Sequence, residues 1–219
     1  MDQIIFVVPC FNEEKRINSK SFIHSLSNCP ELQWLFVNDG SADGTLGVLQ
    51  DLQKGREDRV HILDLKKNQG KGEAVRQGLL QALRLNADAT GYFDADLATP
   101  MNEILRLIEV SRTRRAKVIL ASRVVLLGRN IQRSRWRFVL GRSFATIASF
   151  LLKINIHDTQ CGAKIIANFS QLQNCLDRPF QSRWLFDVEL IHRLMKSWCL
   201  QCSHVRSGVD HHAIDVVSL

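Results

Sequence analysis

Short β-branched or aromatic runs alternate with longer segments of helical period over the first half of this chain, and this alternation constrains the fold most. The runs typical of buried strands are Ile4–Val8, Trp34–Val37, Val60–Leu63, Gly91–Phe93 and Val118–Ala121. The segments of helical period between them are Phe22–Leu26, Leu46–Leu52, Ala74–Leu85 and Ile104–Val110. Because strands joined through helices form right-handed crossovers, the pattern predicts an α/β fold whose mostly parallel sheet is covered by helices on both faces.

The size and composition of the chain favour one globular domain spanning residues 1–219. Its 219 residues suit a single core, and its 45% hydrophobic and 23% charged residues exclude a disordered or fibrous chain. No run approaches the ~18 apolar residues of a membrane-spanning helix, and the N-terminus has no basic-then-apolar signal pattern. Six cysteines are scattered along the chain, so we expect reduced thiols in a cytosolic compartment.

Positive charge is concentrated in one block of the sequence. The formal net charge is +7, and between Val110 and His157 no Asp or Glu occurs while Arg and Lys recur throughout. A block of one sign favours an anionic partner, which would be nucleic acid, an anionic membrane or a phosphorylated ligand. A solvated surface without a partner is the alternative interpretation.

The same block contains a candidate amphipathic helix at about 134–154. Its apolar residues recur at helical spacing and are Trp136, Val139, Leu140, Phe144, Ile147, Leu151 and Ile154. Its basic residues occupy other positions and are Arg135, Arg137, Arg142 and Lys153. The pattern favours a helix lying in a membrane interface, or alternatively a core-facing helix with solvated arginines.

Polar clusters follow three of the predicted strands, at the points where these strands end. They are Pro9–Glu13 after the first strand, Asn38–Ser41 after the second and Asp94–Asp96 after the fourth. In parallel α/β sheets, ligands bind at the carboxyl ends of the strands, near the point where the strand order reverses. We therefore expect these three loops to converge on one edge of the sheet.

The Asp94-Ala95-Asp96 turn offers two carboxylates that can reach one point. A hard divalent cation prefers a few carboxylate oxygens completed by phosphate oxygens and water. A metal held by Asp96, with Asp94 as a second ligand or as a contact to a sugar or ribose, would grip a diphosphate and neutralise a leaving group. A plain turn or cap is the alternative interpretation of the same residues.

The loop after the second strand carries more polar groups than a capped turn requires. Gly40 and Gly44 permit a tight turn, and Asp43 can cap the helix that follows. Capping gives no role to Asp39, whose carboxylate can accept hydrogen bonds from a base or ribose.

A third loop, Asn68–Gly72, precedes the helix that contains Ala74. Exposed backbone amides at the start of that helix, together with Lys71, can face an anionic phosphate. The loop lacks the Gly-Lys-Ser/Thr spacing of a Walker motif, which weakens a kinase or ATPase interpretation.

In their order along the chain, these motifs resemble those of family 2 glycosyltransferases with a GT-A fold. The residues that carry the resemblance are Pro9, Phe11, Asn12 and Glu13, Asp39-Gly40-Ser41 with Asp43 and Thr45, Asn68, Gly70 and Lys71, and Asp94-Ala95-Asp96. The segments that resemble the dolichyl-phosphate β-glucosyltransferases, and more loosely the mannosyl equivalents, are Ser122-Arg123, Asp158–Lys164 and Arg183–Leu190. The resemblance extends from Ile4 to Leu200 and implies a Rossmann-like sheet.

The resemblance implies an inverting glycosyltransferase that moves a hexose, glucose from UDP-glucose, to a polyprenyl phosphate with Mg²⁺ or Mn²⁺. Residues 1–100 would form the nucleotide-sugar half and residues 101–219 the acceptor half. The donor-binding residues implied are Pro9, Phe11, Glu13, Asp39, Lys71, Asp94, Ala95 and Gln160. Among them, Asp39 would contact the uracil or ribose. The metal would be held by Asp96 and Asp94.

The resemblance also implies catalytic and acceptor residues. The catalytic residues implied are Asp94, Asp158 and Asp187, and Asp158 would line the donor sugar beside Gln160. The residues implied for the acceptor phosphate are Arg123 and Arg142, with Arg137 as a rival for the second position. Asp187 matches the base in relatives that use hydroxyl acceptors, and Glu189 lies beside it.

A phosphate monoester acceptor changes what the Asp187 carboxylate must do. Such a phosphate is ionised near neutral pH and can attack an anomeric carbon without strong proton abstraction, whereas a sugar hydroxyl cannot. We therefore expect Asp187 to position more than to deprotonate, and its loss to slow the reaction less than loss of Asp96.

The basic block is consistent with a lipid acceptor. Lys and Arg side chains near an anionic leaflet gain roughly 1 kcal/mol each. We therefore expect peripheral attachment at the cytoplasmic face of a membrane.

Other functions account for fewer of these residues. A GDP-mannose-dependent or hydroxyl-acceptor enzyme of the same family, or a non-catalytic nucleotide-sugar-binding protein, stays open. A zinc site at Cys199–Cys202 with the histidines that follow is disfavoured, because no second cysteine pair occurs and the surroundings are apolar. A nucleic-acid-binding module would leave Asp39, Asp94 and Asp96 without a role, so we expect no nucleic acid partner.

Overall fold

A computed structural model describes residues 3–113, 116–122, 163–182, 185–202 and 214–218, and for residues 122, 198–202 and 214–218 it describes the backbone alone. The strands are β1 (Ile4–Cys10), β2 (Leu32–Asp39), β3 (Val60–Leu65), β4 (Ala89–Phe93), β5 (Val118–Ser122), β6 (Ala163–Ala167) and β7 (Ile214–Ser218). The helices are α1 (Ser19–Asn28), α2 (Thr45–Gln53), α3 (Lys71–Arg84), α4 (Met101–Thr113), α5 (Leu172–Leu176) and α6 (Phe186–Cys202).

The strands form one sheet with the order β3-β2-β1-β4-β6-β5-β7. β1 pairs in parallel with β2 on one side and with β4 on the other, and β2 pairs in parallel with β3. Every strand and helix predicted from the alternation is present at its place, so the predicted class of α/β fold with a mostly parallel sheet is confirmed. The strand order reverses between β1 and β4, which is where such sheets bind ligands.

The sequence pattern does not predict β6 and β7, which lie on either side of β5. β6 lies antiparallel between β4 and β5, and β7 pairs in parallel with β5. The prediction depended on strands alternating with helices, and a reversed strand between two parallel neighbours breaks that pattern. In addition, β6 contains Lys164 within a short apolar run, which weakens its strand signal.

The sheet separates two hydrophobic cores. On one face, the side chains of Ile4, Phe6 and Val8 pack with residues of α1, α2 and α4. On the other face, Ile5 and Val7 pack with residues of α3, α5 and α6. Because successive residues of a strand point to opposite faces, a strand buried on both sides needs a continuous apolar run such as that of β1. The predicted cover of helices on both faces is therefore confirmed.

Two observations bear on the other sequence-based expectations. None of the helices in the described ranges is long and apolar enough to cross a membrane. Among the cysteine side chains that the structure describes, Cys10, Cys29 and Cys175 are buried free thiols. The candidate amphipathic helix at about 134–154 lies outside the described residues.

Candidate functional site

The predicted convergence of the polar loops on one edge of the sheet is confirmed. β1, β2, β3 and β4 are parallel, so the loops that follow them leave from the same edge. These loops contact one another in sequence. The loop after β1 binds the loop after β2, which binds the loop after β3, and the residue that begins α3 binds the loop after β4.

The loops after β1 and β2 are joined by hydrogen bonds that run in both directions. The Asn12 backbone N–H donates to Ser41 Oγ at 3.0 Å, and Asn12 Oδ1 accepts from the Ala42 N–H at 2.9 Å. The Glu13 N–H donates to Thr45 Oγ1 at 2.8 Å. These contacts fix the backbone of the first loop against the start of α2.

The three predicted donor residues near β1 differ in how accessible they are. Pro9 lies within β1 and pairs with Val37 in the sheet. Phe11 is 46% exposed, which makes its ring available for contact with a ligand. The Glu13 carboxylate forms a two-point ion pair with Arg16 at 2.6 Å, so a donor that bound Glu13 would share the carboxylate with Arg16.

Asp39 ends β2, and its carboxylate accepts hydrogen bonds from the protein backbone. Its Oδ1 accepts from the Gln69 N–H at 2.7 Å and its Oδ2 accepts from the Gly70 N–H at 2.9 Å. The residue is 2% exposed. Carboxylates that accept backbone N–H groups make charge-assisted hydrogen bonds, which are stronger than neutral ones. The structure therefore gives Asp39 the task of holding the loop that leads into α3.

Gly40 allows the close approach of these two loops. Its φ is +65°, a region that residues with a Cβ rarely adopt, and a Cβ at this position would lie 2.5 Å from the Asn68 backbone nitrogen. Both the φ angle and the contact exclude a larger side chain. The tight turn predicted at Gly40 is confirmed.

Lys71 begins α3 and contacts the loop after β4. Its Nζ lies 2.6 Å from Asp94 Oδ1, and the Lys71 side chain is 47% exposed. The start of a helix also favours anions, because its first backbone N–H groups have no partner within the helix. This end of α3 thus combines a cationic side chain with a helix dipole at the edge of the sheet.

Asp94 and Asp96 lie on one tight turn beyond β4, while Ala95 between them is buried. The Leu97 N–H donates to the Asp94 carbonyl, and Asp96 Oδ1 accepts from the Ala98 N–H at 3.0 Å. Asp96 is exposed. The turn therefore leaves the Asp96 carboxylate facing solvent, within reach of a ligand.

The oxygen donors of this turn fit a hard divalent cation. No group of three or more His, Cys, Asp and Glu side chains suited to a metal occurs in the described parts of the chain. Mg²⁺ is usually held by one or two carboxylates and completed by phosphate oxygens and water. Asp94 and Asp96 can supply those two carboxylates, so the residues fit a cation that arrives with a diphosphate.

A second charged cluster lies behind this edge and is buried. Lys164 of β6 is 1% exposed, and its Nζ donates to Tyr92 Oη at 2.5 Å and to Asp187 Oδ1 at 2.9 Å. Asp187 lies in the first turn of α6 and is 7% exposed. Burial raises the pKa of the Asp187 carboxyl to about 7, and the charge of Lys71 lowers it in part. The carboxyl group that matches the position of the base in hydroxyl-acceptor relatives therefore binds an internal lysine.

Sequence reasoning assigned no role to Lys164, although the residue lies in a segment that carried the family resemblance. The available signal was a lysine inside the apolar run Ala163–Ala167. A buried lysine needs a counter-charge or hydrogen-bond acceptors. That requirement, applied to the sequence, would have pointed to a carboxylate partner.

The remaining predicted residues are placed as follows. Glu189, beside Asp187, binds Arg193 at 2.6 Å and accepts from the Gln181 N–H at 2.8 Å. The predicted residues that lie outside the described residues are Arg123, Arg137, Arg142, Asp158 and Gln160. Their assignment to the donor sugar and the acceptor phosphate therefore stays a prediction.

A cavity of about 400 Å³ opens beside the start of α3. It is lined by Asn68, Gln69, Glu73, Pro179, Phe180, Gln181 and Ser182. The cavity thus lies between the loop held by Asp39 and the segment that leads into α6. It adds room for a ligand next to the cationic end of α3.

Comparison with known proteins agrees with this geometry. The family model described as Glycosyl transferase family 2 matches residues 5–170. Dolichyl-phosphate beta-glucosyltransferase of Homo sapiens is 32% identical over 209 residues, which is 87% of this chain and 62% of that protein. The Mus musculus protein of the same name is 32% identical over 97% of this chain and 68% of its own length. Polyprenol monophosphomannose synthase of Mycolicibacterium smegmatis is 31% identical over 72% of this chain and 59% of that protein.

Solved structures share the fold at lower sequence identity. Glucosyl-3-phosphoglycerate synthase from Mycobacterium tuberculosis, in complex with Mn²⁺, UDP-glucose and phosphoglyceric acid, aligns with a TM-score of 0.65 at 18% identity. The alignment covers 99% of this chain and 69% of that structure. S. aureus TarS aligns with a TM-score of 0.55 at 18% identity, over 86% of this chain and 55% of that structure.

Proposed function

Because this chain belongs to glycosyl transferase family 2 and has the GT-A fold, we propose that it transfers glucose from UDP-glucose to a polyprenyl phosphate of the dolichyl type. The chain spans 62% of the length of its human relative, so the substrates in the names of the relatives are proposals for this chain. Glycosyltransferase activity itself follows from family membership.

One observation carries the proposal. Lys71 at the start of α3 contacts Asp94, and Asp96 lies on the same turn after β4, next to the point where the strand order reverses. A nucleotide diphosphate needs a cation, amide donors and a second positive charge at one place. This edge of the sheet offers carboxylate ligands for the cation. The start of α3 supplies the amide donors, and Lys71 supplies the second positive charge.

We propose that Asp96 and Asp94 hold Mg²⁺ or Mn²⁺ when a donor binds. The cation would neutralise charge that develops on the departing diphosphate. Lys71 would bind the same phosphates from the other side, and the start of α3 would direct its backbone N–H groups toward them. Phe11 would contact the donor through its exposed ring, as the family resemblance implies.

The reaction follows from the charge of the two substrates. A phosphate oxygen of the acceptor attacks the anomeric carbon, and the bond from that carbon to the diphosphate oxygen breaks, so that UDP leaves. Attack opposite the leaving group inverts the anomeric configuration. An ionised phosphate needs no strong base, and Asp187 is largely buried against Lys164. Asp187 would therefore position the start of α6 instead of removing a proton.

The acceptor side of the proposal depends on residues 101–219, as the nucleotide-sugar side depends on residues 1–100. Arg123 and Arg142, with Arg137 as a rival, would bind the acceptor phosphate, and Asp158 and Gln160 would line the donor sugar. The basic block around them would attach the chain to an anionic membrane at its cytoplasmic face. The acceptors in the names of the relatives support a lipid phosphate.

A transfer assay tests the proposal directly. The protein is incubated with Mn²⁺, labelled UDP-glucose and a short-chain polyprenyl phosphate, and label that enters the organic phase is measured. We expect a lipid-linked product with β configuration. Arg123→Ala should reduce the product strongly, whereas Lys54→Ala, which removes an exposed charge on the far end of α2, should not. Transfer to water or to a sugar hydroxyl alone would contradict the lipid phosphate.

A second donor has one observation in its favour. The Mycolicibacterium smegmatis relative, named a polyprenol monophosphomannose synthase, is nearly as similar as the glucosyl relatives. The same assay with labelled GDP-mannose separates the two donors. A higher rate with GDP-mannose than with UDP-glucose would replace the proposed donor and leave the proposed acceptor intact.

A further inference from the structure

We infer that Lys71 occupies the place of the metal at Asp94 while the site is empty, so that the metal binds well only together with the nucleotide diphosphate. The inference rests on the proposed metal-dependent function. It adds a role for Lys71 in the coupling between cation and donor.

The side chain of Lys71 forms an ion pair with the Asp94 carboxylate. Lys71 Nζ lies 2.6 Å from Asp94 Oδ1. A divalent cation ligated by the same carboxylate would sit about 2.1 Å from an oxygen. An ammonium group and a divalent cation would then share one carboxylate at close range, and like charges at such distances repel strongly. A metal that arrives alone must therefore displace Lys71 or bind weakly.

The backbone of Lys71 is fixed on both sides, so only its side chain can move away. On one side, the Gly70 N–H is held by Asp39. On the other side, Gly72 packs so closely on Phe186 that a Cβ at this position would lie 2.9 Å from the Phe186 Cβ. The Lys71 side chain is 47% exposed and has a flexible stem, so it has room to swing.

The charge of Lys71 is also felt beyond Asp94. It lowers the pKa of Asp187, which burial raises, so the ammonium group lies within electrostatic range of both carboxylates. Asp187 directly follows Phe186, against which the start of α3 packs. Lys71 therefore supplies positive charge at the point where α3, α6 and the loop after β4 meet.

Donor binding reverses the effect of Lys71 on metal binding. An ion pair that is partly exposed to water is easily broken. A diphosphate at the start of α3 offers Lys71 a more highly charged partner, which frees Asp94 for the metal. Lys71 thus opposes the metal without a donor and supports donor and metal once both are present. Such a coupling is reciprocal, so the metal and UDP each strengthen binding of the other.

Mn²⁺ binding to Lys71→Met, measured by electron paramagnetic resonance, tests the inference without any turnover. Without nucleotide, we expect Lys71→Met to bind Mn²⁺ about tenfold more tightly than the wild-type protein, because the competing charge is gone. With Mn²⁺ saturating, we expect the same variant to bind UDP about tenfold more weakly. Lys71→Gln should behave in the same way as Lys71→Met.

Two controls separate competition for Asp94 from a general change of charge. Lys71→Arg keeps the positive charge and should bind Mn²⁺ alone as weakly as the wild-type protein. Lys66→Met removes an exposed positive charge five residues earlier and should leave Mn²⁺ binding nearly unchanged. Equal Mn²⁺ affinity in Lys71→Met and the wild-type protein would overturn the inference. A wild-type protein that binds no UDP with Mn²⁺ would instead contradict the proposed function.

Discussion

Asp39 and the Asp94–Asp96 pair follow parallel strands at the same edge of the sheet, yet they meet different surroundings. Asp39 is 2% exposed, and each of its carboxylate oxygens accepts a backbone N–H. Asp94 meets a flexible lysine, and Asp96 lies on an exposed turn. A carboxylate bound by the backbone shapes a site, whereas one facing solvent or a flexible cation can exchange its partner for a ligand. Asp39 therefore holds two loops together, whereas Asp94 and Asp96 are available to a ligand.

Asp96→Ala is the change from which we expect the largest effect. If Asp96 holds the metal, its loss should reduce kcat/KM for sugar transfer by about 100- to 1000-fold, because the diphosphate loses much of its charge stabilisation. The free energy of unfolding should stay within about 1 kcal/mol of wild type, since surface substitutions cost little. Transfer rates and thermal unfolding curves of the same preparation measure both. A large loss of stability would remove the contrast with Asp39.

Asp39→Ala should show the opposite balance and lower the free energy of unfolding by about 3 kcal/mol. The substitution leaves the Gln69 and Gly70 N–H groups without their acceptor in a buried place, and each such loss costs about 1–3 kcal/mol. Chemical denaturation monitored by fluorescence measures the change. Asp51→Ala, which removes an exposed carboxylate on α2, is the matched control and should be nearly neutral. An equally stable Asp39→Ala protein would show that the loop does not depend on Asp39.

The same contrast explains how much of the molecule the sequence could predict. The strand and helix pattern and the convergence of the loops follow from local periodicity and from the direction of parallel strands. The hydrogen bonds from Gln69 and Gly70 to Asp39 join residues about thirty positions apart. They depend on the approach of two loops. No periodic pattern contains that information. The resemblance to the family assigned Asp39 to the nucleotide, and the structure adds two backbone N–H groups that its carboxylate binds.

The buried pair of Lys164 and Asp187 marks the other limit of sequence reasoning. Both residues lie in motifs that carried the family resemblance, but β6 runs antiparallel and α6 lies on the far face of the sheet. Only the assembled sheet brings Lys164 next to Tyr92 and Asp187. The resemblance places Asp187 at the position of a base, and the structure adds a buried lysine as its hydrogen-bond partner.

Asp187 allows a third test, because it is a buried carboxylate paired with a side chain instead of the backbone. Its pKa is raised to about 7, so the folded protein binds a proton that the unfolded chain releases near its ordinary pKa. The resulting stability is present at low pH and is lost as the pH rises through about 7.

We therefore expect the wild-type protein to lose about 1–2 kcal/mol relative to Asp187→Asn between about pH 5.5 and pH 7. Denaturation curves of the two proteins across this range give the slope. The slope isolates ionisation from the altered Lys164 contact, which contributes equally at each pH. Parallel stability curves would contradict the raised pKa.

The smallest effect should come from the stability of Lys71→Met. The ion pair with Asp94 is partly exposed, and such pairs contribute about 0–1 kcal/mol, so the free energy of unfolding should change by less than about 1 kcal/mol. Thermal unfolding of Lys71→Met and Asp39→Ala under the same conditions compares the stability contributed by the Lys71–Asp94 ion pair with that contributed by the Asp39 hydrogen bonds. A destabilisation as large as that of Asp39→Ala would make the Lys71 pair architectural and would remove the distinction between the two regions.

Calorimetric titration with UDP-glucose, in Mn²⁺ and then in excess EDTA, tests most directly whether the exposed turn after β4 holds a metal that grips the donor. We predict that the wild-type protein binds UDP-glucose at least about tenfold more tightly with Mn²⁺, and that Asp96→Ala binds equally weakly in both conditions. Wild-type binding of equal strength with and without the metal would contradict the account.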